Sequence, residues 1–300
     1  MADQSFIERL GFEATDKVVI FHIDDMGFSH ASNLASFECL DYGIASCGSV
    51  IVPSPWFLET AAICRENSQY DVGVHLTLTS EYDVYRWRAL SSVNPDSGLL
   101  DAEKCLWRTS EEAITHVTPE AAEIEMRTQI EVALANGIDV THIDTHMGTV
   151  LDPKFIFSYV ILAQKFNIPA FLPRLTREEL NAMGYGEYAD AYIGMLPQLE
   201  ASGIPLLDQI IIDTGGEQPD KTKYYCDRVT EIKPGLTHLL FHSAKMSPEL
   251  KAITPDSAAW RDQDYRAFTD PKLKECVDKN NLKTIGYREI RDFLRRNDNE

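Results

Sequence analysis

Short runs of β-branched and aromatic residues recur along this chain with helix-forming segments between them, and that alternation most limits the folds open to it. Residues 18–23, 45–52, 72–76, 140–143, 170–173, 206–212, 237–241 and 283–286 read as strands. Helices are expected at 32–42, 119–136, 154–166 and 287–296. The strongest is 119–136, with Thr118 as cap, Pro119 in the first turn, Glu120 and Glu123 at the positive end and Gly137 as its stop. Its Ile124, Ile130, Val132 and Leu134 are expected to face the sheet in part. Strands separated by helices form parallel βα units, and eight strands are about what a closed ring needs. The predicted fold class is therefore α/β, a single-domain parallel (β/α) barrel over residues 1–300, TIM-barrel-like and either complete or distorted and incomplete.

No linker or low-complexity tract divides the chain, and no repeat is visible. The stretch 80–117 is too long for an ordinary βα connection. Its Tyr82, Tyr85, Trp87 and Trp107 read either as a substrate wall or as an insertion packed on the barrel. The formal net charge of -19 opposes binding to nucleic acid or anionic membrane. No run approaches the roughly 20 apolar residues of a membrane span, and a cytoplasmic location is expected. Cys39, Cys47, Cys64, Cys105, Cys226 and Cys276 include no C-x-x-C pair and read as buried reduced thiols.

Polar clusters stand where strands stop. Asp24 and Asp25 end the first, and because neighbours on a strand point to opposite sides, one can hold a metal while the other faces substrate. His75 ends the third strand, and His142, Asp144 and His146 share one face if extended. Several polar side chains on one face are costly to bury unless they hold one another or an ion. One of that trio suits a ligand and its neighbours suit an orienting role. His242 repeats the pattern on a later strand, and Arg174 is placed to hold a carboxylate or a substrate oxygen. Each of these has a plainer reading as a cap, a core histidine or a surface arginine. Their common position at strand ends favours a divalent-metal hydrolase.

Three segments together resemble the YdjC-like carbohydrate deacetylase family: Asp24-Asp25-Met26-Gly27-Phe28-Ser29, Gly73-Val74-His75-Leu76-Thr77 and Thr141-His142-Ile143-Asp144-Thr145-His146. The resemblance implies removal of an acetyl group from an N-acetylated amino sugar or short oligosaccharide. It implies that Asp25, His75 and His146 hold one divalent ion, that Asp24 is the base, and that His242 is the acid. By position and residue type, and apart from the resemblance, His142 and Asp144 are expected to orient ligands and Trp87 and Arg174 to meet substrate. Zinc or magnesium suits the ion best, with manganese or cobalt as alternatives. The chain departs from the family at His22, where Asn is common, at Met147-Gly148-Thr149 and at Ser243-Ala244. Two rivals stand beside it: a sugar lyase or isomerase, which would use the same ligands and for which Lys245 is the available basic lysine, and a silent carbohydrate-binding barrel in which the aromatic loop stacks on sugar and the metal is structural or absent. The oligomeric state is left open.

Overall fold

The computed structural model describes residues 4–297. Its strands are β1 (Lys17–Met26), β2 (Cys47–Val50), β3 (Val72–Leu76), β4 (Ile143–Thr145), β5 (Gln209–Ile211), β6 (Gly235–Phe241) and β7 (Lys283–Thr284). All pairings are parallel, in the order β4-β3-β2-β1-β6-β5. The expected strand at 170–173 makes only single bridges, Ala170 to Ile143 and Pro173 to Leu207. Those bridges complete the ring: Phe171 N–H donates to Ile143 O at 2.9 Å and Leu207 N–H to Leu172 O at 2.9 Å. The eighth expected strand does not join it. Val19 pairs with Thr237 of β6 and with Thr284 of β7, so β7 lies on the edge of β1 that β2 occupies further along.

Alternation on β1 sorts the core. Val19, Phe21 and Ile23 belong to the large cluster beneath the helices, while Val18 and Ile20 belong to a smaller cluster with Leu236, Phe171 and Tyr287. Ile7 and Ile290, from the helices Phe6–Arg9 and Tyr287–Asn297, join that smaller cluster. Along the same face of β1 the next residues are His22 and Asp24, both buried. The interior therefore turns from hydrocarbon to polar toward the strand C-termini.

The helix Pro119–Ala135 forms as its caps require, Thr118 accepting from Ala121 N–H. Its buried face differs from the expected one: Ile130 is inside, but Ile124 and Leu134 are exposed. Glu125 and Gln129 are buried because they serve loops. Gln129 bonds both backbone groups of Thr77, and Glu125 accepts from Leu90 and Ser91 N–H. No described helix is long and apolar enough to cross a membrane. Cys226 and Cys276 form a disulfide, against the expectation of reduced thiols, while Cys39, Cys47, Cys64 and Cys105 are free and buried.

Candidate metal centre

Asp24 and Asp25 do not point to opposite sides. Between Ile23 and Met26 the ladder to β2 slips by one residue, so that both aspartates stand against Ser49 alone. Asp25 takes the left-handed conformation, φ 64°, which completes this bulge. Both carboxylates consequently line the same cavity. Gly48 makes room for the slip, since a Cβ there would lie 2.7 Å from Met26 Sδ and 2.9 Å from Ile23 O.

Oδ1 of Asp25 lies 3.4 Å from Nε2 of His75 and 3.2 Å from Nδ1 of His146. It is buried without a well-formed hydrogen bond, an expensive state for a carboxylate oxygen in a metal-free protein. The far nitrogen of each histidine is held by an acid. Nδ1 of His75 is 2.9 Å from Oδ1 of Asp144, and Nε2 of His146 is 3.1 Å from Oε1 of Glu81. With protons on those outer nitrogens, the inner lone pairs and Asp25 Oδ1 converge within 4.8 Å of one another, a donor set that fits a divalent cation. Three further clusters, His22-Asp24-His238, His22-His142-Asp144 and Asp24-His75-Asp144, also converge. Their atoms are largely committed to one another: His22 bonds Asp24 and His142, and Asp144 bonds His75 and Ser49.

Charge at the centre is steeply organised. Burial would raise Asp25, but Arg261, 2.8 Å from its Oδ2, together with His146 and His75, holds it well below the usual carboxylate range. Burial would lower His75, yet Asp144 and Asp24 push it well above its ordinary value. His146 is likewise raised to about 9, burial being outweighed by Glu81 and Asp25. Without a cation, these two rings join Arg261 in facing the acids with positive charge.

His242 follows β6 and faces the cavity, its Nε2 3.9 Å from Oδ2 of Asp25 and its Nδ1 buried without a partner. Burial lowers it to about 4, with Asp25 opposing and Arg261 assisting. Its backbone N–H donates to Asp264 at 3.2 Å. His142 stands one contact deeper than expected: it bonds His22 rather than a ligand, and its ring stacks on Tyr287 at 4.0 Å.

Two expected substrate contacts lie elsewhere. Trp87 is 3% exposed, its indole N–H donating to Thr79 O, and its ring packs behind His146 at 6.4 Å. The buried backbone around Ser80 and Thr79 claims the indole, so it cannot stack on a sugar. Arg174 pairs with Glu200 and Asp208 and does not line the cavity. The 80–117 insertion supplies Glu81, Tyr82, Ser110 and Ile114 to the wall instead. Lys245, which a lyase would need, pairs with Glu38 outside the cavity. Arg261 and Glu81 escaped the sequence reading because neither ends a strand. Arg261 comes from the helix Ala258–Phe268, in a segment with no motif to single it out.

Residues 18–279 match the family described as YdjC-like protein. A carbohydrate deacetylase of Thermus thermophilus is 31% identical over 295 residues, covering 96% of this chain and 98% of that protein. One from Thermoanaerobacter pseudethanolicus is 22% identical, covering 90% and 98%. Among solved structures, a putative cellobiose-phosphate cleavage protein of Enterococcus faecalis V583 shares the fold with a TM-score of 0.75 at 20% identity, covering 92% of this chain and 99% of that one. The profile match and the near full-length likeness to the Thermus protein agree, and the chain belongs to the YdjC-like protein family.

Proposed function

We propose that the chain is a metal-dependent carbohydrate N-deacetylase that releases acetate from an N-acetylated amino sugar. The observation that carries this reading is Asp25 Oδ1, buried and unbonded between two histidine nitrogens whose other sides are fixed by acids. A divalent ion held by Asp25, His75 and His146 supplies a Lewis acid for the acetyl carbonyl and acidifies water, with zinc suiting the donors best and magnesium, manganese or cobalt as alternatives.

Asp24, with Oδ2 3.9 Å from His75 Nε2, takes the proton of the attacking water. His22 donates to its other oxygen at 2.7 Å and keeps Oδ2 turned to the cavity. His242, across the centre, hands a proton to the departing nitrogen. Because its free ring is neutral near pH 7, the proton it delivers is the one Asp24 has taken from the attacking water, passed across the centre before the nitrogen departs. Arg261 fixes Asp25, while Asp144 and Glu81 fix the two histidines. The same reading takes the chain as one working domain; the Cys226–Cys276 disulfide stands against the cytoplasm expected from sequence, and the state of those two thiols tests the compartment. Acetate release from N-acetylated mono- and oligosaccharides, measured after chelation and again after defined metal return, tests the activity. Metal-restored protein that releases none would sink it.

A further inference from the structure

The cavity above the centre encloses about 770 Å³, toward the upper part of the range of roughly 300–1,000 Å³ usual for small-molecule sites. Its two ends differ in chemistry. Every carboxylate or guanidinium in the lining, namely Asp24, Asp25, Glu81, Asp144 and Arg261, belongs to the centre already described. The rest is walled by side chains such as Ile114, Leu175, Leu180, Met183, Tyr185, Tyr188 and Ile212. Two hydroxyls of the lining are already spent, since Tyr192 donates to Pro173 O and Ser110 is engaged with Thr149, which leaves the phenols of Tyr185 and Tyr188 to meet a ligand's polar groups.

A second observation is independent of the lining chemistry. Met147, Met183, Tyr188 and Ile212, all cavity residues, are among the large hydrophobic side chains left exposed. Apolar side chains gathered in water at the mouth of one site mark a surface that a ligand covers. A second sugar ring would bring several hydroxyls into this lobe and find few free partners, at a cost for each one stripped of water. A sugar phosphate would find no cation there, because Arg261 is committed to Asp25.

We propose that the substrate is an N-acetylated amino sugar bearing a hydrocarbon aglycone, with the acetamide at Asp25 and the aglycone in the lobe lined by Leu180, Met183 and Tyr188. This rests on the deacetylase reading for the sugar end alone. Burying a methylene is worth about two- to fourfold in affinity, according to how completely it leaves water. Methyl, butyl, hexyl and phenyl β-glycosides of N-acetylglucosamine therefore form a graded probe, with N,N′-diacetylchitobiose and N-acetylglucosamine 6-phosphate as competitors. Binding is measured by calorimetry to the zinc-reconstituted full chain carrying Asp24→Asn, which halts turnover. The expected result is at least about 30-fold tighter binding of the hexyl than of the methyl glycoside. Met183→Asp, at an exposed position, should narrow that ratio toward one; phenyl against hexyl tells whether a ring or a chain fits better. A flat series, or tighter binding of the disaccharide or the phosphate than of the hexyl glycoside, overturns the proposal. Acetate release by the wild-type chain is scored separately. Release without a chain-length effect removes the aglycone alone, whereas graded binding without release from any compound removes the deacetylase reading alone.

Discussion

Nδ1 of His22 lies 2.7 Å from Oδ1 of Asp24, and the opposite ring nitrogen reaches Nε2 of His142 at 2.8 Å. The ring is a strut between Asp24, the proposed base, and the barrel interior. Asn carries its nitrogen near the Nδ1 position and Gln near Nε2, so His22→Asn should keep the bond to Asp24 and His22→Gln should lose it. The Gln variant is expected to lose about 10²-fold in kcat with little change in KM, and the Asn variant to stay within about tenfold. Equal losses in both, at unchanged metal content, would reduce His22 to core packing.

Metal binding should be visible as protons. His75 is raised well above its usual value and His146 to about 9, so both rings are protonated at pH 7 in the metal-free chain and must be neutral to ligate. Zinc added to chelated protein should release close to two protons, read from the buffer dependence of the calorimetric enthalpy. Asp25→Asn, His75→Ala and His146→Ala should each lower bound metal, and Glu81→Gln should weaken affinity about 10- to 100-fold. Asp24→Asn should leave metal content near wild type. Release of no protons would mean that both rings are already neutral in the metal-free chain, and the metal content of the His75 and His146 variants would then decide ligation.

Gly73 faces the ring of His142. A Cβ there would sit 2.5 Å from Cε1, so Gly73→Ala should destabilise by about 1–3 kcal/mol through overpacking. Adding His142→Ala should return part of the loss, a coupling that thermal unfolding of the two single variants and the double variant measures. Strict additivity would place the cause elsewhere.

His242 ties stability to acid. Its folded value, about 4, lies below the unfolded value near 6.5, so the unfolded chain takes the proton first. The stability from its neutral form is therefore full above pH 6.5 and is lost as pH falls toward 4. The full shift corresponds to about 3 kcal/mol, and a side chain 20% exposed keeps some hydration and lowers that figure. Denaturant unfolding of chelated protein between pH 7 and 5 should show a shallower decline for His242→Gln than for wild type. Parallel declines would mean that the ring titrates normally.

Cys226 and Cys276, 50 residues apart, give a crosslink worth about 4 kcal/mol by loop closure. Thiol titration in denaturant without reductant should count four free groups. Six would restore the reduced state expected from sequence and favour a reducing compartment.

The strand-end clusters were legible because runs such as Val72–Leu76 end on a polar residue, and a parallel barrel gathers such ends on one rim. Asp25, His75 and His146 meet for that reason. What stayed hidden depends on contacts between distant segments. The Cys226–Cys276 pair has no diagnostic spacing, and Arg261 reads as an ordinary helix arginine until the fold sets it beside Asp25. Trp87 looked like a sugar platform because aromatic residues in long loops often are. Its burial follows from the way Arg86 ties the loop to Asp101 and to the backbone of Ser80 and Leu106. The eighth strand misled through count alone: β7 has strand composition and pairs with β1, but at a position where the ring is already spoken for.

The slip between Ile23 and Met26 also separates what this barrel is from what it does. On an unbroken strand, odd and even residues would send one aspartate into the cavity and its neighbour under the helices. The single extra residue changes that parity locally and leaves the ladder to β6 intact through Ile23. A deletion of one codon at this point would therefore restore regular alternation, keep most of the sheet, and leave the cavity with one carboxylate in place of two. Loss of chemistry without loss of architecture is thus one small genetic step away.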